Sequence, residues 1–144
     1  MRAELWAVLT AVCWAGGAFF EKKGVRLAGF APVMGTTLRT VTSVVLLLVL
    51  SQPYWGQLRG AGTGPILMIV LGGGVVAGAM GILFFYKALA GGNLSIVLPI
   101  AFCLTPVLGV VIGVVVSREQ VSFLQCVGVL LAVAGATLTV WYKP

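Results

Sequence analysis

The sequence predicts an all-α, polytopic membrane protein built as a bundle of five transmembrane helices. Three observations predict it. The 144 residues are 60% hydrophobic and only 8% charged, with a mean hydropathy of +1.15. An ordinary soluble domain carries about 25% charged residues, so this chain cannot coat a globule with solvated side chains. The stretches Gly60–Tyr86, Ala88–Ser117 and Gln120–Tyr142 contain no Lys, Arg, Asp or Glu. Each is longer than the about 20 helical residues that cross the hydrocarbon of a bilayer. Turn-forming segments then divide the chain into five rods, too little for two domains of this kind, and residues 1–144 read as one transmembrane domain.

The first predicted helix covers about residues 4–26. It opens after Arg2 and Glu4, stays apolar to Phe20 and continues through Glu21 to Arg26. Ala15-Gly16-Gly17-Ala18 resembles a signal-peptide cleavage site, but an acid at Glu4 and the continuing helical pattern argue for a retained helix. Leu27–Ala31 is a turn, and Pro32 suits the first turn of helix two, about residues 32–51. Pro53 ends that helix, with Tyr54 and Trp55 as interfacial aromatics. Gln52–Gly64 is the longest loop. Helix three opens at Pro65 and runs to about residue 89. Gly91-Gly92-Asn93 is a tight turn, and Asn93 or Ser95 can cap helix four, about residues 94–116. Pro99 and Pro106 remove backbone donors there and should bend it. Ser117-Arg118-Glu119-Gln120 resembles a capping box that starts helix five at about residues 119–142. Glu119 would then favour the positive end of the helix dipole, a capping role rather than a catalytic one.

The net charge of +6 does not point to nucleic acid. The basic residues sit at the ends of the spans or inside them, where they anchor and orient. Histidine is absent, and Cys13, Cys103 and Cys126 are far apart, each within a span. They read as buried thiols rather than metal ligands or a disulfide framework. No nucleophile set can be assembled without histidine, and no phosphate-cradling loop or haem motif appears, so neither an enzyme nor a cofactor is expected. One side of the membrane collects Arg2, Arg59 and Arg118. The other collects Lys22, Lys23, Arg26, Lys87 and Lys143, of which Lys22 and Lys87 are candidates to lie within the bilayer. Without those two the sides balance, which permits insertion in both orientations and pairing with an inverted copy. Gly74 with Gly78, Gly109 with Gly113 and Gly128 with Ala132 are small-xxx-small pairs that suit helix packing.

Arg39 lies in the middle of helix two, where an ionisable group costs roughly 2.5–3.5 kcal/mol on insertion scales and usually faces a cavity or a partner. Thr36, Arg39, Thr40 and Ser43 are spaced i, i+3, i+4, i+7 and therefore share one face. That face either lines a water-filled cleft or serves a hydrogen bond to a neighbouring helix or a snorkel to the surface. Trp14, Ala18 and Glu21 share a face of helix one, with Lys22 beside it. Tyr86 and Lys87 hold the corresponding place near the end of helix three.

The order of these features resembles one EamA-type repeat of the drug/metabolite transporter superfamily. The residues that carry the resemblance are Trp14, Lys22, Pro32, Arg39, Tyr86-Lys87-Ala88-Leu89, Pro99, Leu104-Thr105-Pro106-Val107, Glu119, Gln125, Gly128 and Gly135. Members of that family commonly hold two inverted repeats and ten helices; this chain is most similar to the single-repeat, five-helix branch, with Phe20-Glu21-Lys22 ending helix one. It departs from that branch at Pro99-Ile100-Ala101-Phe102, where Asp-Lys-Leu-Ser often follows Pro-Ile. It also has Trp14 where small multidrug resistance transporters place a proton-binding glutamate. The resemblance implies a secondary transporter of small metabolites or drugs in the cytoplasmic (inner) membrane, working by alternating access as an antiparallel homodimer. Trp14, Arg39 and Tyr86 are then expected to line the substrate cavity, with Glu21, Lys22 and Lys87 at its mouth and Pro99 and Pro106 as helix-bending points. An unpaired Arg39 would favour an anionic or zwitterionic substrate. The alternatives are a lipid-linked flippase or its accessory subunit, and a structural membrane subunit without transport.

Overall fold

A computed structural model of the chain describes residues 3–142; Arg2 and Lys143, both part of the charge balance above, lie outside them. Of the described residues 88% are helical, and none lies in a strand. The five helices are α1 (Ala3–Ala28), α2 (Pro32–Ser51), α3 (Thr63–Gly91), α4 (Leu94–Val115) and α5 (Phe123–Trp141), each long and apolar enough to cross a membrane. The all-α, five-span architecture expected from the sequence is therefore observed.

The helices expose what a soluble protein would hide. Among the described residues the buried hydrophobic ones are Ala18, Tyr86, Leu89 and Val97, whereas Leu and Val side chains along α2 from Val44 to Leu50 are exposed. With lipid as solvent this arrangement costs nothing, because an aliphatic side chain is as well accommodated by acyl chains as by a core.

Local chemistry sets the ends. Glu4 in the first turn of α1 and Arg26 in its last turn complement the helix dipole. Pro32 occupies the first turn of α2, as the sequence suggests. The α1 helix runs two residues further than expected, and Gly29 at φ +63° ends it. The loop after α2 holds two short helical pieces, Gln52–Tyr54 and Gln57–Gly60. Asn93 takes the N-cap position of α4, where its backbone carbonyl accepts from Ile96 and Val97; its side chain makes no capping bond. The α4 helix continues unbroken through both Pro99 and Pro106.

Two boundaries differ from the sequence reading. The Ser117–Gln120 segment does not start the last helix. Arg118 adopts φ 54°, and the Glu119 N–H donates back to the Gly113 carbonyl at 3.0 Å, so this segment closes α4 instead. The capping box lies five residues on: Ser122 Oγ accepts from Gln125 N–H at 3.2 Å, and Gln125 Oε1 accepts from Ser122 N–H at 2.8 Å. The second difference is in α3, which starts at Thr63 and is wound in three parts. Thr63–Met68 and Ile82–Gly91 are α-helical, while Ile69–Gly81 is a wider π-helix. Such winding is rare beyond a single turn. Here the glycines permit it: a Cβ on Gly78 would lie 2.9 Å from the Gly73 carbonyl oxygen, a contact between successive wide turns that a larger residue would break.

The chain forms two compact units. One comprises Ala3–Ala18 of α1 together with Gly91–Tyr142, and the other is Phe19–Ala90. In the first unit α4 packs against α5.

Candidate functional site: a paired arginine lining a cleft between two helices

The Phe19–Ala90 unit brings together three of the residues singled out from sequence. Arg39 Nε lies 3.1 Å from Glu21 Oε1, joining α2 to the end of α1. The acid is the deeper partner, with its side chain 17% exposed against 30% for Arg39. Tyr86, on the α-helical end of α3, lies within electrostatic reach of both Glu21 and Arg39. Tyr86 itself is buried.

Gly35 makes room for this arrangement. Its position is one turn before Arg39, and an ideal Cβ there would sit 2.6 Å from Tyr86 Cε1 and 2.8 Å from Val25 Cγ2. Helices α1, α2 and α3 therefore meet at a residue without a side chain. The sequence reading did not name Gly35; the usable signal was a glycine one helical turn from an intramembrane arginine, on the same face.

A cleft of about 550 Å³ opens between α2 and α3 within this unit. Thr36, Arg39, Thr40 and Ser43 all line it, so the i, i+3, i+4, i+7 face looks into open space. Thr37, Val33 and Val41 join them, and the opposite wall is small or apolar: Gly74, Gly78, Ala79, Ile82 and Leu83. The hydroxyls of the polar wall bond back along their own helix. Thr36 donates to the Pro32 carbonyl at 3.0 Å, Thr40 to Thr36 at 2.8 Å and Ser43 to Arg39 at 3.0 Å.

Trp14 belongs to the first unit, half exposed, with its ring 5.4 Å from that of Phe102 and tilted by 56°. Lys22 is partly buried and engaged by a neighbour, whereas Lys87 is exposed. Pro99 lines an apolar groove of about 240 Å³ between α4 and α5, with Cys103, Leu104, Val133 and Thr137. Pro106 borders a more polar pocket of about 500 Å³ with Glu119 and Gln125. The condition for an anion-seeking Arg39, that it be unpaired, is not met, because Glu21 holds its Nε edge.

No curated protein and no solved structure matches the chain. The EamA-like transporter family matches residues 1–141, nearly the whole length and all five spans. Five apolar helices fit a single-repeat member, and the chain belongs to the EamA-like transporter family, whose members are membrane transporters of the drug/metabolite superfamily.

Proposed function

We propose that this protein is a secondary transporter that moves small metabolites or drugs across the cytoplasmic membrane by alternating access. The observation that carries the reading is the polar wall of α2 lining the 550 Å³ cleft, with a charged pair at its edge. An intramembrane arginine is costly unless it has a partner or water, and polar residues at that depth mark pathways. Arg39 contacts substrate, Glu21 holds Arg39 in place, and Tyr86, buried against Gly35 outside the cleft lining, positions the pair. Lys22 and Lys87 serve the approach to the site, and Pro99 and Pro106 let α4 bend as access alternates.

The working form is an antiparallel homodimer. Five spans amount to one repeat, and an inverted partner supplies the second half that alternating access requires. The near-balance of basic residues between the two sides favours insertion in both orientations. Cross-linking in native membranes with a tag on each terminus tests this directly: copies joined with opposite termini on one side support it, and copies joined only in one orientation overturn it.

The cleft is tested by thiol access. With Cys13, Cys103 and Cys126 replaced by alanine, a single cysteine at Thr40 should react with water-soluble thiol reagents from either side of the membrane. Reaction from neither side removes the pathway. Uptake into proteoliposomes should fall at least tenfold in Arg39→Ala; unchanged uptake of every substrate carried removes Arg39 from the site.

The groove between α4 and α5 favours one second reading, a flippase for a lipid-linked molecule, because its lining is almost wholly apolar. Movement of a fluorescent long-chain lipid, without uptake of any water-soluble compound, would decide for it.

A further inference from the structure

We propose that the α2 cleft selects molecules that carry hydrogen-bond donors on an apolar frame, uncharged or cationic, and that Glu21 excludes anions by occupying Arg39 from within. This rests on the reading above in one respect, that the cleft receives a ligand.

The argument begins with the hydroxyls. Each brings one proton and two lone pairs. Thr36, Thr37, Thr40 and Ser43 each give their proton to a carbonyl one turn back, at 3.0, 2.9, 2.8 and 3.0 Å. Their protons are spent inside the helix, and what they turn to the cleft are lone pairs. The polar stripe is therefore a row of acceptors, matched by amine, amide or hydroxyl donors.

Arg39 is the exception in that row, and Glu21 answers it. An anionic ligand reaching for the guanidinium meets a carboxylate already 3.1 Å from Nε. That carboxylate is part of the same chain, so it competes at a high effective concentration. Its negative charge also cancels that of the guanidinium at close range, so the cleft offers an anion no net attraction. Among the described residues, Arg39 is the one charged side chain in the cleft lining, with Glu21 behind it, and neither Lys22 nor Lys87 lines the cleft to restore that attraction. The opposite wall, with Ile82 and Leu83, suits the apolar frame.

Three fluorescent probes with one apolar body separate the possibilities: dansylamide (neutral donor), dansylcadaverine (cation) and dansylglycine (carboxylate). Binding is read with the full chain purified in detergent. The wild type should bind the first two at least tenfold more tightly than dansylglycine. Glu21→Gln should raise dansylglycine affinity tenfold or more and abolish that order. A second variant, Thr40→Val with Ser43→Ala, leaves the ion pair intact and decides the matter if Glu21→Gln does not fold. It should weaken dansylamide and dansylcadaverine at least threefold and leave dansylglycine unchanged. A wild type that prefers dansylglycine, or variants that leave the ratios unchanged, overturn the selectivity and leave transport standing. If none of the three binds, the cleft takes no ligand and both readings fall together.

Discussion

Gly35 and Tyr86 are fitted to each other: a methyl group on the glycine would come within 2.6 and 2.8 Å of two atoms of the tyrosine ring. The ring fills the space that the missing side chain leaves. That contact holds the phenol beside Glu21 and Arg39, and it ties α2 to α3.

Gly35→Ala should therefore be destabilising although alanine is the better helix former. The helical preference gains about 1 kcal/mol, and the overpacking against a buried ring and Val25 costs about 1–3 kcal/mol. A fall in thermal midpoint in detergent is expected for Gly35→Ala. Gly24→Ala, whose added methyl would meet no atom within 4 Å, should leave the midpoint unchanged or raise it.

The Glu21–Arg39 pair should behave as a unit. Removing one member of a buried pair costs about 3–5 kcal/mol, and the partial exposure of Arg39 lowers the expectation here to about 2 kcal/mol for Glu21→Ala or Arg39→Ala. The double substitution should cost no more than either single one. Thermal unfolding of all four proteins gives the coupling, and additive losses would show that the two side chains are energetically independent.

Ser122→Ala should destabilise α5 by about 1 kcal/mol through the lost cap. Ser117→Ala should not, since Ser117 stands at the end of α4. Hydrogen exchange at the first turn of α5 distinguishes them: faster exchange at Gln125 in the first variant and none in the second.

Arg118 holds a left-handed conformation that costs a non-glycine residue about 1–2 kcal/mol. Arg118→Gly should relieve most of that strain, offset in part by the greater freedom of glycine in the unfolded chain. A small rise in thermal midpoint is expected, and a fall would mean that the guanidinium makes contacts worth more than the backbone strain.

The sequence made the five spans readable because a bilayer imposes a one-dimensional demand: a run of charge-free apolar residues long enough to cross it. The Thr36–Ser43 face was readable for a similar reason, since helical spacing alone puts those residues on one side. What lay out of reach were contacts between helices. Glu21 and Arg39 were each singled out, yet nothing in their spacing joins them, and the Gly35 seat for Tyr86 involves three separate helices. The start of α5 was misplaced because Ser117-x-x-Gln120 and Ser122-x-x-Gln125 both fit a capping box, and only the backbone at Arg118 tells which one is used. The wide winding of α3 left no trace because Ile69–Gly81 is apolar or glycine throughout and gives periodicity nothing to register.

That winding also bears on length. Thr63–Gly91 has 29 residues, which as an ideal α-helix would measure about 44 Å against about 30 Å of hydrocarbon. A broader coil advances less per residue and so shortens the rod, much as a slack spring takes up surplus wire. Were one of its loops to tighten, everything beyond it would swivel about the axis and carry Tyr86 off its notch. The tyrosine is thus a pawl on the coil, and the fit at Gly35 fixes how tightly the third rod is wound.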